Sequence, residues 1–107
     1  MNVKEFVELF YTEKNNMLKL YFSNLQGTEV GLKIDNLGLT KKQMEKMQSI
    51  IDTVITDIMY TILLGLDGEG SIGNVQQNYK LYDENGCELT NCGGIEQYAY
   101  EYFQEGK

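Results

Sequence analysis

The chain has 107 residues, 42% of them apolar and 23% charged, which is the size and composition of one folding domain with one core. Nine Lys stand against 16 Asp and Glu, a net charge of -7, and there is no His, Trp, Pro or Arg. That inventory excludes His-assisted nucleophiles, phosphoryl transfer built on Arg, and His-containing zinc sites.

Residues 2–23 are predicted to form a first helix. Asn2 is placed to cap it, with Glu5 three residues on. Val3, Phe6, Val7, Phe10, Met17, Leu18, Tyr21 and Phe22 form an apolar stripe at helical spacing. Lys14, Asn15 and Asn16 interrupt the stripe, so a bend or break is expected there. Residues 24–39 read as a packed irregular connection, in which Val30, Leu32 and Ile34 alternate as in a short strand.

The strongest local signal covers residues 41–64. Thr40 and Gln43 make a capping box. Met44, Met47, Ile50, Ile51, Val54, Ile55, Ile58, Met59, Ile62 and Leu63 then form an unbroken apolar face, expected to be the core, with Ile51 and Ile55 at its centre. Lys41, Lys42, Glu45, Lys46, Asp52, Thr56 and Asp57 are expected to face water. The final turns, residues 59–64, are apolar all round, so this end of the helix is expected to be buried on several sides, and its β-branched content leaves a strand open for Tyr60–Leu66.

Residues 65–78 form a glycine-rich loop that needs unusual backbone angles or close approach. Asn78–Asp83 and Cys87–Thr90 read as strands joined by an Asn85-Gly86 turn, a β-hairpin. Asn91–Gly94 is a break, and Ile95–Phe103 a closing helix. The fold class expected is α+β, one domain over 1–107. Two long packed helices come first, then a short β-hairpin and a C-terminal helix.

The charge is uneven. Residues 1–40 net -1, residues 41–64 are neutral, and residues 65–107 net -6. Such a surface repels nucleic acid and anionic membranes and suits a basic protein partner. Acidity that merely keeps the chain soluble explains the same numbers. No apolar run approaches the length of about 18 residues that predicts a membrane span. MNVKEFVELF lacks the features of a signal peptide, so a cytoplasmic protein with free Cys87 and Cys92 is expected.

Asp67, Glu69 and Ser71 imitate a calcium loop, but Ile72 and Asn78 stand where Gly and Glu are required. No Lys follows the glycines as a phosphate loop demands. No metal, cofactor or catalytic residue is therefore assigned, although carboxylate pairs among Asp67, Glu69, Asp83 and Glu84 are the one enzymatic arrangement the inventory leaves. Tyr79, Tyr82, Tyr98, Tyr100 and Tyr102 share the acidic third of the chain. Tyr98 and Tyr100 cannot lie on one helix face. The expected partner contacts are Asp67, Glu69, Asp83, Glu84, Glu88, Tyr98 and Tyr100.

Three segments carry a resemblance: Leu63–Gly73, Gln76–Gly86 and the closing Tyr98-Ala99-Tyr100-Glu101-Tyr102-Phe103. Together they resemble small acidic bacterial proteins of the kind that act as immunity partners of polymorphic toxins. The resemblance implies a non-catalytic protein that blocks a basic toxin or effector surface, and it transfers no functional residue. The Arg-free, Lys-, Asn- and Ile-rich composition fits an AT-rich bacterial genome. The alternatives are a small-molecule sensor or carrier, with the 65–73 loop over an apolar pocket, and a homodimer built on an exposed part of the long helices.

Overall fold

The computed structural model describes residues 1–90 and 93–105. Four helices account for most of it: α1 (Val3–Ser23), α2 (Glu29–Asp35), α3 (Lys41–Leu66) and α4 (Gly94–Tyr100). A short 3-10 turn, Leu25–Gly27, leads into α2, and a π turn, Glu101–Glu105, extends α4.

Both expected capping boxes form. Asn2 Oδ1 accepts from the Glu5 N–H at 2.8 Å, and Glu5 returns a carboxylate to the Asn2 N–H. Thr40 Oγ1 and Gln43 do the same for α3, at 3.1 and 2.9 Å. Each box satisfies two amides that the first turn leaves without partners.

The long helices α1 and α3 pack side by side, and α4 lies across both at one end. There Val7, Leu63, Ile95, Ala99 and Phe103 form the core, ringed by Val3, Phe6, Phe10, Tyr11, Met59, Tyr60, Tyr98 and Tyr102. At the other end α2 folds back beneath α1, with Leu18, Gly31 and Ile34 buried. Gly31 sits against the Leu25 carbonyl, where a Cβ would collide with backbone.

Four expectations need correction. The fold is not α+β: among the described residues there is no strand, and the hairpin reduces to a single bridge between Tyr82 and Glu88. Its arms are too short for a stable two-stranded ribbon. Side chains also take the backbone partners that a ladder would use. The Leu81 N–H donates to Thr90 Oγ1 at 3.1 Å, and Asp83 Oδ1 accepts from the Asn85 and Cys87 N–H groups, both at 2.9 Å.

The Val30–Ile34 segment is helical rather than extended. Thr28 caps it, its Oγ1 accepting from the Gly31 N–H at 2.9 Å, so the local cap outweighs the alternating pattern. The α1 helix runs unbroken through Lys14 to Asn16, and Tyr60–Leu66 completes α3. Asn91 and Cys92, in the predicted break, lie outside the described residues.

The fourth correction concerns how α3 is turned about its axis. Thr56, expected in water, is buried, and Asp52 is half-buried. Ile50, Val54, Ile58 and Ile62, expected in the core, are 58%, 45%, 54% and 40% exposed. Ile51 and Ile55 are only half-buried. A radius of gyration of 16.3 Å against the roughly 13 Å of a compact chain of this length reflects the long, partly uncovered helices.

These positions set a stability contrast. Leu63→Ala empties a fully buried site and is expected to cost about 2–5 kcal/mol. Ile58→Ala, more than half exposed, is expected to cost under about 1 kcal/mol in the isolated chain. Urea denaturation of the monomeric chain measures both, and equal losses would refute this assignment of the core.

Candidate functional site

The seven residues expected to meet a partner do not form one surface. Two of them serve the fold. Asp67 follows α3 and is buried, and its Oδ2 accepts from the Glu96 N–H at 2.9 Å. That contact caps α4, whose own N-cap is Gly93, in the left-handed region at φ 70° and without a side chain. Burial pushes the Asp67 carboxyl above its ordinary value, against the lowering effect of the Glu96 N–H. Its Oδ1 is buried without a partner.

Asp83 is a clamp. Its Oδ1 holds the turn amides, while its Oδ2 pairs with the N-terminal ammonium of Met1 at 2.8 Å. That ion pair and the turn N–H groups hold its carboxyl below the usual range, and the same pair raises the ammonium. Asp83 thereby ties the residue 81–90 turn to the start of α1.

The other five divide between regions. Glu69 and Glu84 are exposed, and Glu88 is half-buried. Glu84 lies on a groove of about 450 Å³ between the turn and α1, beside Tyr82, Met1, Phe6 and Leu9. Tyr98 packs against the core, while Tyr100 is 54% exposed, so the pair splits as helical spacing requires.

Tyr100 belongs to a second, open groove of about 370 Å³, lined by Tyr60, Gly93, Glu96, Gln97, Tyr100, Glu101 and Glu105. Two phenol rings and three carboxylates meet there, and no Lys lines it among the described residues. Burial, then the negative charge of Glu96 and then Tyr100, raises the Tyr60 hydroxyl. Glu96, Tyr100, Glu101 and Glu105 stand at i, i+4, i+5 and i+9. That spacing was the available sequence signal, but Tyr60, from α3, could join them only through the tertiary fold.

A polar cluster sits midway between α1 and α3. Lys14 is 7% exposed, and its Nζ lies 3.0 Å from Asp52 Oδ1 and 4.7 Å from the Tyr11 ring centroid. Thr56 Oγ1 donates to Asp52 Oδ1 at 3.5 Å, a long contact. These side chains, with Tyr102 and Phe103, border a cavity of about 450 Å³. The Lys14 charge is already partnered by Asp52.

The glycine-rich loop does as its composition implied. It folds back on the end of α3, with Gly65 against Ile72 and Gly68, at φ 78°, against the Asn78 amide. Gln76 Nε2 closes the loop by donating to the Gly68 carbonyl at 2.9 Å. Among the described residues no group of acids or Cys is placed to hold a metal ion.

By length and composition alone α3 is long and apolar enough to cross a membrane, as the core helix of a soluble protein can be, and 17% of its most apolar window is buried. No protein-family model, curated protein or solved structure matches the chain.

Asp67→Asn keeps an acceptor for the Glu96 N–H and removes a buried charge. Because the folded carboxyl titrates above its unfolded value, native stability falls as pH rises through that window. Asp67→Asn is therefore expected to be at least as stable as the wild type at neutral pH. Thermal melts across pH 4 to 8 should show its advantage shrinking toward acid, and an advantage that grows there would contradict the assignment.

Proposed function

We propose that this chain is a non-catalytic protein-binding module of the immunity type, which occupies a cationic surface on a basic protein. The observation that carries this reading is the Tyr60–Tyr100 groove, where Glu96, Glu101 and Glu105 converge beside two phenol rings. A Lys or Arg side chain of a partner fits that chemistry. Its charge meets carboxylates, and its stem or guanidinium lies against a phenol face. Tyr is also a residue type favoured where interfaces concentrate their energy.

Exposed Glu69 and Glu84 extend the negative field beyond the groove. The excess of six negative charges over residues 65–107 would steer a basic partner toward this end of the molecule. Asp67 and Asp83, committed to the α4 cap and the turn, support the surface and are not expected to touch the partner.

The product of the reading frame immediately upstream of this gene is the partner to test. Its association rate is expected to fall steeply as salt rises from about 0.01 M to about 1 M, over which the screening length shrinks from about 30 Å to about 3 Å. Glu101→Lys with Glu105→Lys is expected to slow association about tenfold or more at low salt. Lys41→Glu with Lys42→Glu should leave it nearly unchanged. Unchanged association by the acid-reversed protein, with its helical circular dichroism intact, would remove the groove from the interface.

A further inference from the structure

We infer that α3 is the seam of a two-fold homodimer, in which the Ile50–Val54–Ile58–Ile62 row of one copy packs antiparallel against the same row of a second. This surface is separate from the acidic groove, and the inference does not depend on it.

The first ground is the rotated setting of α3. Its polar side, Asp52 and Thr56, is turned inward onto Lys14, while four β-branched residues at i, i+4, i+8 and i+12 face outward. A row at that spacing is the ridge that interdigitates with another helix. The groove between α1 and α3, lined by Leu9, Phe10, Thr12, Glu13, Asn16 and Met59, runs along its edge, and Leu9 is 53% exposed. The apolar surface therefore continues from α3 onto α1.

The second ground is charge. The start of α3 holds Lys41, Lys42 and Lys46 against Glu45 alone. Beyond Lys46 no Lys occurs until Lys80, while Asp52, Asp57, Asp67 and Glu69 intervene. The first turn of α3 has no acid and its last turn no base. This pattern opposes the helix's own macrodipole, which favours acids at the start and bases at the end. An antiparallel copy relieves it by setting the Lys-rich start of each helix beside the negative-dipole end of the other, with exposed Glu69 just beyond that end. A parallel copy would set Lys against Lys.

The third ground is area. A helix of 26 residues is about 39 Å long and about 10 Å wide, so one face offers on the order of 400 Å². That is half of the roughly 800 Å² per partner in a stable interface. Leu9, Glu13 and Asn16 across the groove enlarge the face on each copy. A bilayer suits α3 less well, because the helix carries half-exposed Asp52, ion-paired to Lys14 of α1, and Asp57 beside the row.

Sedimentation of the full chain at two concentrations tests this, with the expected result a species of twice the chain mass. Ile58→Lys and Val54→Lys change exposed residues and should keep the fold, checked by circular dichroism. Each is expected to weaken dimerisation about thirtyfold or more. A spin label at Lys46→Cys, with Cys87 and Cys92 changed to Ser, reads the direction of packing. Lys46 lies ten residues from the midpoint of the row, so antiparallel copies hold the two labels about 30 Å apart and parallel copies about one helix diameter, about 10 Å. A monomer at the highest soluble concentration, a dimer indifferent to both Lys variants, a short label separation, or co-sedimentation with phosphatidylcholine vesicles would overturn the inference.

Discussion

The Lys14–Asp52 contact fixes how the two long helices meet. A lysine buried in the middle of α1 needs a counter-charge, since an unpaired ammonium away from water costs several kcal/mol. Asp52 supplies it, with Thr56 one turn on and the Tyr11 ring alongside. Once that side of α3 faces α1, the helix has no rotational freedom left. Its continuous apolar row must point elsewhere, and in the single chain it points into water. The pair is buried only on its Lys14 side, the Asp52 side chain being 45% exposed, so what it contributes is a partner for the buried ammonium more than net stability.

The apolar core is accordingly displaced to one end. Leu63, Val7 and the inner face of α4 close there, where α3 has no polar residue turned inward. The acids of that end are divided by role. Asp67 and Asp83 act on backbone amides, one capping α4 and the other fastening a turn to the N-terminus. Glu96, Glu101 and Glu105, released from structural duty, line an open groove with two tyrosines. The Asp67 cap thus holds in place the helix that presents the candidate binding surface.

The molecule therefore offers two surfaces of opposite character, an aliphatic row along α3 and an acid–tyrosine groove at the α4 end. They share α3, but the groove takes Tyr60 from it and none of the row residues, so self-association through the row leaves the groove open. A two-fold dimer would present the groove twice, and a bivalent module gains avidity without new contacts.

By itself the sequence determined part of the local structure. Two capping boxes, the long 41–64 periodicity, the closing helix and the glycine loop were legible because each is set by neighbours within a few residues. It also determined where the charge lies, and its spacing separated Tyr98 from Tyr100. The expected hairpin failed because Asp83 and Thr90 bind backbone amides that a ladder would need, a competition that residue patterns do not display. Which face of α3 is inside was decided by the tertiary structure alone. The apolar face is evident from periodicity, but what it faces depends on Lys14, 38 residues away in the chain, meeting Asp52. The groove likewise required Tyr60 of α3 to come beside Glu96 of α4. Periodicity shows that a helix has an apolar side, and only packing fixes which side is covered.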